Sequence, residues 1–177
     1  MRVPTSAAVI TSLVALAALA ALAGLAGCGD ASTTDGDGRT FDACSPVLLA
    51  PDASASAAEK QSVSDGAALW NALLHTRYAL ADTSAAASTP RIPVHFDAAA
   101  ENFHGLYDGE RAEVFVNQAI SDDHERAIVV AHELGHSLGL LHVDEDSVMR
   151  ADNTKTAPND RDRGAVVAIW GACASEP

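Results

Sequence analysis

The sequence predicts one mixed α/β domain, of the α+β class, over residues 41–177. Apolar residues recur at helical spacing in three segments and alternate as in a strand in two others. The predicted order is a helix, two strands, a second helix, an irregular segment and a third helix. A domain of about 135 residues is long enough to bury a single hydrophobic core.

The first predicted helix runs from Ser62 to Leu80. Ser62 or Ser64 can act as its N-cap, because a hydroxyl oxygen accepts a hydrogen bond from a free backbone N–H of the first turn. Its predicted buried stripe recurs at helical spacing and includes Trp70, which we expect in the core. The stripe consists of Ala67, Trp70, Leu73, Leu74 and Tyr78.

Two strands are predicted next. Arg91 to Phe96 alternates, with Ile92, Val94 and Phe96 on one side. Pro93 weakens this prediction or places the strand at a sheet edge, because proline lacks the N–H donor of a ladder. Asp108 and Gly109 form a hairpin-turn signal, and Ala112 to Asn117 reads as the second strand.

The second predicted helix is capped by Ser121 or Asp122 and runs to about Leu138. Asp123 and Glu125 stabilise its positive end. Its predicted buried stripe is Ala127, Val130 or Ala131, Leu134 and Leu138. A last helix begins at Asn159 or Asp160, with one face formed by Val166, Ile169, Trp170 and Cys173.

The first 27 residues have the pattern of a secretory signal peptide. Arg2 supplies a positive start, residues 7–25 are almost all apolar, and small residues follow. A transmembrane helix is the alternative, since the run is about long enough to span a bilayer. No basic stop-transfer flank follows it, and the run is rich in alanine. We therefore expect export.

The sequence Leu-Ala-Gly-Cys ending at Cys28 resembles a bacterial lipoprotein lipobox. That resemblance implies cleavage before Cys28 and acylation of this residue, with a plain secretory cut as the alternative. Two or more acyl chains hold a protein stably on a membrane. We expect an exported lipoprotein on the periplasmic or cell-surface face, attached to the membrane through this anchor only, or else a secreted protein.

Residues 28–40 are predicted to be a flexible tether, because they carry almost no apolar surface to bury. Asp35 to Gly38 could suggest calcium, but the spacing of an EF-hand loop is absent, which leaves calcium unsupported. Cys44 and Cys173 remain near the two ends of the domain. In an oxidising compartment this pair could form a disulfide, and two unlinked thiols are the alternative.

The chain is acidic, with a formal net charge of −13. Phosphates would be repelled, so the charge argues against a nucleic-acid partner. The same charge could favour basic substrates, although an ordinary solvated surface explains it equally well.

Residues 132–142 carry the chemistry. His132 and His136 are four residues apart on a helix, so both imidazoles leave the same face and can bind one Zn²⁺. Glu133 is next to the first histidine and is placed to accept a proton from the attacking water. Gly139 can end the helix in a left-handed conformation, which would bring His142 back as the third ligand. Three protein ligands are typical of a catalytic zinc site.

These eleven residues match HExxHxxGxxH, the zinc-binding consensus of the metzincin peptidases. Met149 resembles the methionine of the tight turn that this family has below the metal, and we interpret it as a packing floor. The sequence resembles the matrixin branch in particular, especially short bacterial members. The resemblance implies a zinc endopeptidase that acts on proteins or peptides, with one catalytic zinc, and we expect a monomer.

The resemblance also implies a small twisted sheet with an active-site helix and a C-terminal helix. Its cleft has an edge strand that pairs with the substrate, a role that we assign to residues 112–117. Some metzincins have a tyrosine ligand two residues after the turn methionine, but Ala151 occupies that position here. A cysteine that blocks the zinc is not recognisable; Cys44 could do so, but its pairing with Cys173 is favoured.

Other polar residues are interpreted as ordinary surface or core groups. His95, Asp97 and His104 are spaced too closely for the second zinc site of some matrixins. The other polar residues interpreted in this way are His75 and His124 on helix surfaces, and Asp144, Glu145 and Asp146 in a loop. Two other functions stay open: a non-catalytic zinc-binding lipoprotein, which would not need Glu133, and a zinc hydrolase of cell-wall peptides.

Overall fold

A computed structural model describes residues 38–81 and 86–173 of the chain. The predicted signal peptide, the lipobox cysteine Cys28 and most of the predicted tether lie outside these residues. Within them, the chain forms five strands and three helices. They are β1 (Pro46–Pro51), α1 (Ala57–Leu74), β2 (Arg77–Leu80), β3 (Arg91–Asp97), β4 (Gly105–Asp108), β5 (Glu113–Asn117), α2 (Asp123–Ser137) and α3 (Asp160–Trp170). The structure therefore confirms the predicted mixed α/β class.

The five strands form one sheet in the order β2-β1-β3-β5-β4. The first four are parallel, and β4 pairs antiparallel with β5 as the outer strand of a hairpin. Helix α1 packs against β1 and β2, helix α2 packs against β4 and β5, and the two helices contact each other extensively. Trp70 joins them: it is fully buried, as predicted, and its Nε1–H donates to the Ala131 carbonyl at 2.8 Å.

The predicted bounds of the first helix are wrong at both ends. Helix α1 begins after Ser56, whose hydroxyl accepts from the Glu59 N–H while the Glu59 carboxylate accepts from the Ser56 N–H. This reciprocal pair satisfies two backbone donors of the first turn, which Ser62 or Ser64 would leave unpaired. The helix ends at His75, which has a left-handed φ of 56°. Tyr78 therefore belongs to β2, where it pairs with Val47.

The predicted strand at residues 91–96 is confirmed as β3, but its edge position is wrong. It lies in the centre of the sheet, between β1 and β5. Pro93 is tolerated because it aligns with Ala50 of β1, whereas pairing with β5 begins only at Val94. The proline thus falls in the part of β3 that has a strand on one side only.

The edge role assigned to residues 112–117 is also wrong. Strand β5 lies inside the sheet, since β4 adds to its outer side through the hairpin that Asp108 and Gly109 begin. The Asp108 carboxylate stabilises this turn by accepting from the backbone N–H groups of Glu110 and Arg111. Among the described residues, the edge beside α2 is therefore β4.

The other two helices begin where the sequence predicted. Asp122 caps α2 and Asn159 caps α3. Val166 of α3 is fully buried, but Ile169 is 49% exposed, which contradicts its predicted place on the buried face. Ile169 lies about 60° around the helix from Val166, at the border of the apolar stripe. Trp170 is half-buried, and its Nε1–H donates to the Leu138 carbonyl at 2.7 Å.

Cys44 and Cys173 form a disulfide that joins the start of the domain to the end of α3. Cys44 is therefore not available to block the metal centre. None of the helices in the described part of the chain has the length and apolar character needed to cross a bilayer.

Candidate metal centre

Helix α2 brings two of the predicted ligands to the centre of the molecule. Almost all of its residues from Arg126 to Ser137 are buried, because it packs against α1 and against the β4–β5 hairpin. His132 and Glu133 are 2% and 1% exposed. Such burial of polar groups costs free energy unless they are paired or bind a ligand, so these positions indicate a functional site.

Gly139 ends this helix as predicted and returns the chain to the site. Its φ is +90°, a conformation that favours glycine, and its N–H donates to the His136 carbonyl at 2.9 Å. The N–H of Leu140 donates to the Gly135 carbonyl at 3.1 Å, which closes the last turn. This geometry brings His142 back towards the histidines of the helix.

The three predicted histidines converge. The Nε2 atom of His142 lies 3.1 Å from the Nε2 of His132 and 3.1 Å from the Nε2 of His136. The ligand atoms of the three residues all lie within 4.8 Å of one another. A tetrahedral zinc ion with Zn–N bonds of about 2.0–2.1 Å needs nitrogens about 3.3 Å apart, so the spacing fits zinc.

Two backbone carbonyls fix the tautomers of the helical histidines. His132 Nδ1 lies 2.7 Å from the Val148 carbonyl, and His136 Nδ1 lies 2.8 Å from the Leu140 carbonyl. A carbonyl can only accept, so each Nδ1 carries the proton, and each Nε2 presents a lone pair to its neighbours. Unprotonated nitrogens that face one another in this way form a cation site, and the donor set is the one that zinc prefers.

Burial keeps these rings neutral. It lowers the pKa of His132 to about 4, although the hydrogen bond to Val148 acts in the opposite direction. Burial also lowers the pKa of His136 to about 3, and the neighbouring His132 lowers it further. Both rings are therefore in the form that binds metal at neutral pH.

Glu133 projects from α2 against the first residue of the edge strand. A Cβ atom built on Gly105 would lie 2.6 Å from Glu133 Oε1 and 2.8 Å from Val129 Cγ1, closer than real contacts allow. The Glu133 carboxylate is thus confined between α2 and the backbone of β4, beside the histidine cluster. No feature of the sequence singles out Gly105, because its role depends on the approach of β4 to α2.

The turn that carries Met149 is held by a buried carboxylate. Asp162 of α3 accepts from the Ser147 hydroxyl and, at 3.3 Å, from the Val148 N–H. The Val148 carbonyl then accepts from His132, so Asp162 is connected to the metal centre through one residue. This role of Asp162 was not predicted, although the Asn159-x-x-Asp162 pattern is a recognisable capping box.

Met149 packs on helix α2 at Gly135, the residue before the ligand His136. It is 1% exposed, and its sulfur packs so closely on Gly135 of α2 that a Cβ there would overlap it. Ala151, two residues on, is exposed and has no metal-binding side chain.

Most residues that were not assigned to the site lie elsewhere, but His104 interacts electrostatically with His132. His95 contacts Asp52 at 3.1 Å and Glu113 at 3.7 Å. Within residues 38–81 and 86–173, the histidine triad is the only group of three or more His, Cys, Asp or Glu side chains placed to hold a metal. His75, His124, Asp144, Glu145 and Asp146 are all exposed.

Comparisons with known proteins agree with this geometry. The family model described as matrixin matches residues 31–171, which is most of the chain. Among solved structures, the chain is similar to the crystal structure of myroilysin, with a TM-score of 0.56 and 13% sequence identity. That alignment covers 74% of this chain and 85% of the myroilysin chain and supports the fold alone. No significant match is found among curated protein sequences. The family match, together with a histidine triad that fits one zinc ion, shows that this chain belongs to the matrixin family and is a zinc metalloendopeptidase.

Proposed function

We propose that Glu133 is the general base of this peptidase and that its substrates are exported proteins and peptides. The observation that supports this most strongly is the position of Glu133: it is buried on the helix that carries two of the three converging imidazoles, and its carboxylate lies against Gly105. His132, His136 and His142 would hold the ion. When bound, zinc supplies a Lewis acid that polarises the scissile carbonyl and makes water more acidic.

The chain's own groups perform the proton transfers. Glu133 accepts the proton of the attacking water and passes it to the nitrogen of the leaving amine. To serve both steps, the Glu133 carboxylate must reach both the attacking water and the nitrogen of the leaving amine. Its confinement between α2 and β4 limits the positions that it can adopt. Among the described strands, β4 is the outermost one beside the site, and we infer that an extended substrate adds to the sheet there through backbone hydrogen bonds.

The mature protein is proposed to be an exported lipoprotein attached through Cys28. The Leu-Ala-Gly-Cys sequence supports this, and the disulfide between Cys44 and Cys173 suits an oxidising compartment. We expect the protein to act as a monomer. Labelling cells with a palmitate analogue tests the anchor: wild type should carry the label, and a labelled Cys28→Ala variant would contradict it.

One cleavage assay tests the catalytic proposal. The full chain, purified in detergent with zinc, is incubated with a mixed library of peptides about ten residues long, beside a Glu133→Gln variant of equal zinc content. Glutamine keeps the size of the side chain but cannot accept the proton. We expect cleavage by wild type and a loss of at least about 100-fold in the variant. Equal cleavage by both proteins would contradict the role of Glu133.

The same assay, repeated with long polypeptides and with cross-linked cell-wall peptides as substrates, separates two narrower substrate classes. Cleavage of folded or long polypeptides as well as peptides supports an endopeptidase of exported proteins. Cleavage restricted to cross-linked cell-wall peptides would instead support the alternative function, a zinc hydrolase of cell-wall peptides.

A further inference from the structure

A cavity of about 380 Å³ opens beside His136, on the side of the site away from Glu133. Tyr107 of the edge strand, Leu140 and Leu141 of the returning chain, and Ile169 and Trp170 of α3 supply most of its wall. Residues 38–40 complete it, with Arg39 at the rim. Because the metal ligand His136 forms part of the wall, the cavity adjoins the metal centre.

Two apolar side chains of this cavity are unusually exposed. Among the described residues, the exposed large hydrophobic side chains are Leu80, Leu141 and Ile169, and the last two both line the cavity. Leu141 is 70% exposed, although its neighbours are fixed: Leu140 is 6% exposed and His142 belongs to the triad. Apolar surface held in water beside a binding site indicates a surface that a ligand covers.

The walls of the cavity are held in place before any substrate arrives. The N–H of Arg39 donates to the Gly109 carbonyl at 2.7 Å, and the Tyr107 hydroxyl donates to the Arg39 carbonyl. On the opposite side, Trp170 is bonded to the Leu138 carbonyl. The disulfide of Cys44 and Cys173 ties the N-terminal wall to the end of α3. A preformed pocket discriminates between side chains better than one that must first be ordered.

The position of Glu133 sets the direction in which a peptide crosses the site. Its carboxylate returns a proton to the leaving amine, so the half of the substrate that follows the cleaved bond lies on the Glu133 and Gly105 side. His136 is one turn further along α2, and Tyr107 is two residues further along β4. The half that precedes the bond therefore runs past His136 and Tyr107 towards the cavity.

We propose that this cavity is a specificity pocket for a bulky apolar side chain, such as leucine or phenylalanine, within three residues before the cleaved bond. Leu141, Ile169 and Trp170 supply the apolar contacts, and the Arg39 guanidinium at the rim disfavours a cationic side chain. The preference is thus opposite to the one that the net charge of −13 would favour for the protein as a whole. This inference rests on the proposed function, because it uses Glu133 to orient the peptide.

Matched peptides test the pocket. A peptide that the zinc-loaded full chain cleaves is resynthesised with leucine, phenylalanine, alanine or lysine at each of the three positions before the bond. We expect kcat/KM to be about tenfold higher for leucine or phenylalanine than for alanine at one position, and lower still for lysine. Leu141→Ser and Ile169→Ser should each reduce the leucine-over-alanine ratio severalfold while zinc content stays unchanged.

Leu80→Ser is the matched control, because Leu80 is exposed to 39% but lies in β2 at the other edge of the sheet. It should leave the leucine-over-alanine ratio at its wild-type value. Cleavage without any preference at these positions would overturn the pocket while leaving the proposed function intact. The same conclusion follows if Leu141→Ser, Ile169→Ser and Leu80→Ser all give the wild-type ratio.

A binding measurement keeps the two proposals separate if no peptide is cleaved. Zinc-loaded Glu133→Gln is titrated with two series of acetylated tripeptide acids. One series carries leucine, and the other carries alanine, at each of the three positions in turn. Tighter binding of the leucine series, lost in Glu133→Gln/Leu141→Ser, supports the pocket even if the proposed catalysis fails. Equal affinity for both series would overturn it.

Discussion

The carboxylate of Glu133 lies directly against the backbone of Gly105, and this contact leaves no room for a side chain at position 105. Gly105→Ala should therefore displace Glu133, the proposed base, and lower kcat by about 10- to 100-fold with zinc content unchanged, since misplacing a catalytic group by about 1 Å costs that much. Steady-state kinetics with metal analysis measures both effects.

Gly164→Ala is the control for this variant. Gly164 lies in α3 with nothing within 4 Å of the position of its Cβ, so the substitution should leave activity unaltered. If Gly105→Ala is as active as Gly164→Ala, the close approach of β4 does not position Glu133 for catalysis.

Gly139→Ala should weaken zinc binding through backbone strain alone. A Cβ at this position meets only ordinary contacts at 3.6 Å, but the φ of +90° disfavours any other residue by about 1–2 kcal/mol. The strain is relieved if the chain moves His142 away from the other two histidines. We expect a loss of about tenfold in zinc affinity, measured by competition with a chelator.

Gly171→Ala is a matched control because Gly171 has a similar φ of +80°, open space around it and no place in the metal loop. It should lower stability but leave zinc affinity unchanged. Similar zinc affinities in both variants would show that the Gly139 turn does not set the position of His142.

Asp162→Asn should weaken both the fold and the metal centre. Asp162 is 2% exposed and accepts hydrogen bonds from Ser147, from the Val148 N–H and, at 2.9 Å, from the Asn159 N–H. An amide nitrogen cannot accept, so one donor loses its partner, at a cost of about 1–3 kcal/mol. Because Val148 orients His132, zinc affinity should fall by about 10- to 100-fold.

Denaturation curves and chelator competition for Asp162→Asn are compared with those of Asp160→Asn. Asp160 is exposed in the same helical turn. A drop in stability with unchanged zinc affinity would refute the connection through Val148.

Removal of the disulfide should lower the free energy of unfolding. Cys44 and Cys173 are separated by 129 residues, so the bond closes a long loop in the unfolded chain. The chain-entropy model gives a loss of at most about 5 kcal/mol for Cys44→Ser/Cys173→Ser, measured by urea denaturation under oxidising conditions. Cys28→Ser, which retains the bond, should unfold as wild type does. Identical curves for the double variant and wild type would show that the bond does not stabilise the fold.

The sequence predicted the parts of the molecule that depend on local chemistry. The histidine spacing, the Gly139 turn and the Asn159 cap are each defined by residues less than about a dozen positions apart. Position in the sheet was not predictable in this way. Residues 46–51 show only a short apolar run, and their place as a parallel strand depends on pairing with residues 77–80 and 91–94. The edge position of β4 likewise depends on its pairing with β5 and could not be predicted from local sequence patterns.

The predicted start of the first helix failed for a different reason. The Ser56-x-x-Glu59 capping box was present in the sequence, but Ser62 and Ser64, closer to the apolar stripe, were preferred. Gly105 and Asp162 could not be assigned to the site, because each acts through a contact between elements far apart in the chain. A local sequence pattern identified the metal ligands, whereas the residues that position the site act through contacts between elements far apart in the chain.

X-ray absorption at the zinc edge tests the central claim, that three imidazoles hold one zinc ion. Protein loaded with one equivalent of zinc should show a nitrogen and oxygen shell at about 2.0–2.1 Å, with outer-shell scattering from three imidazole rings. His142→Ala should reduce this to two rings, while His124→Ala, on the exposed start of α2, should retain three. A spectrum with sulfur scattering, or with three rings still present in His142→Ala, would contradict the account.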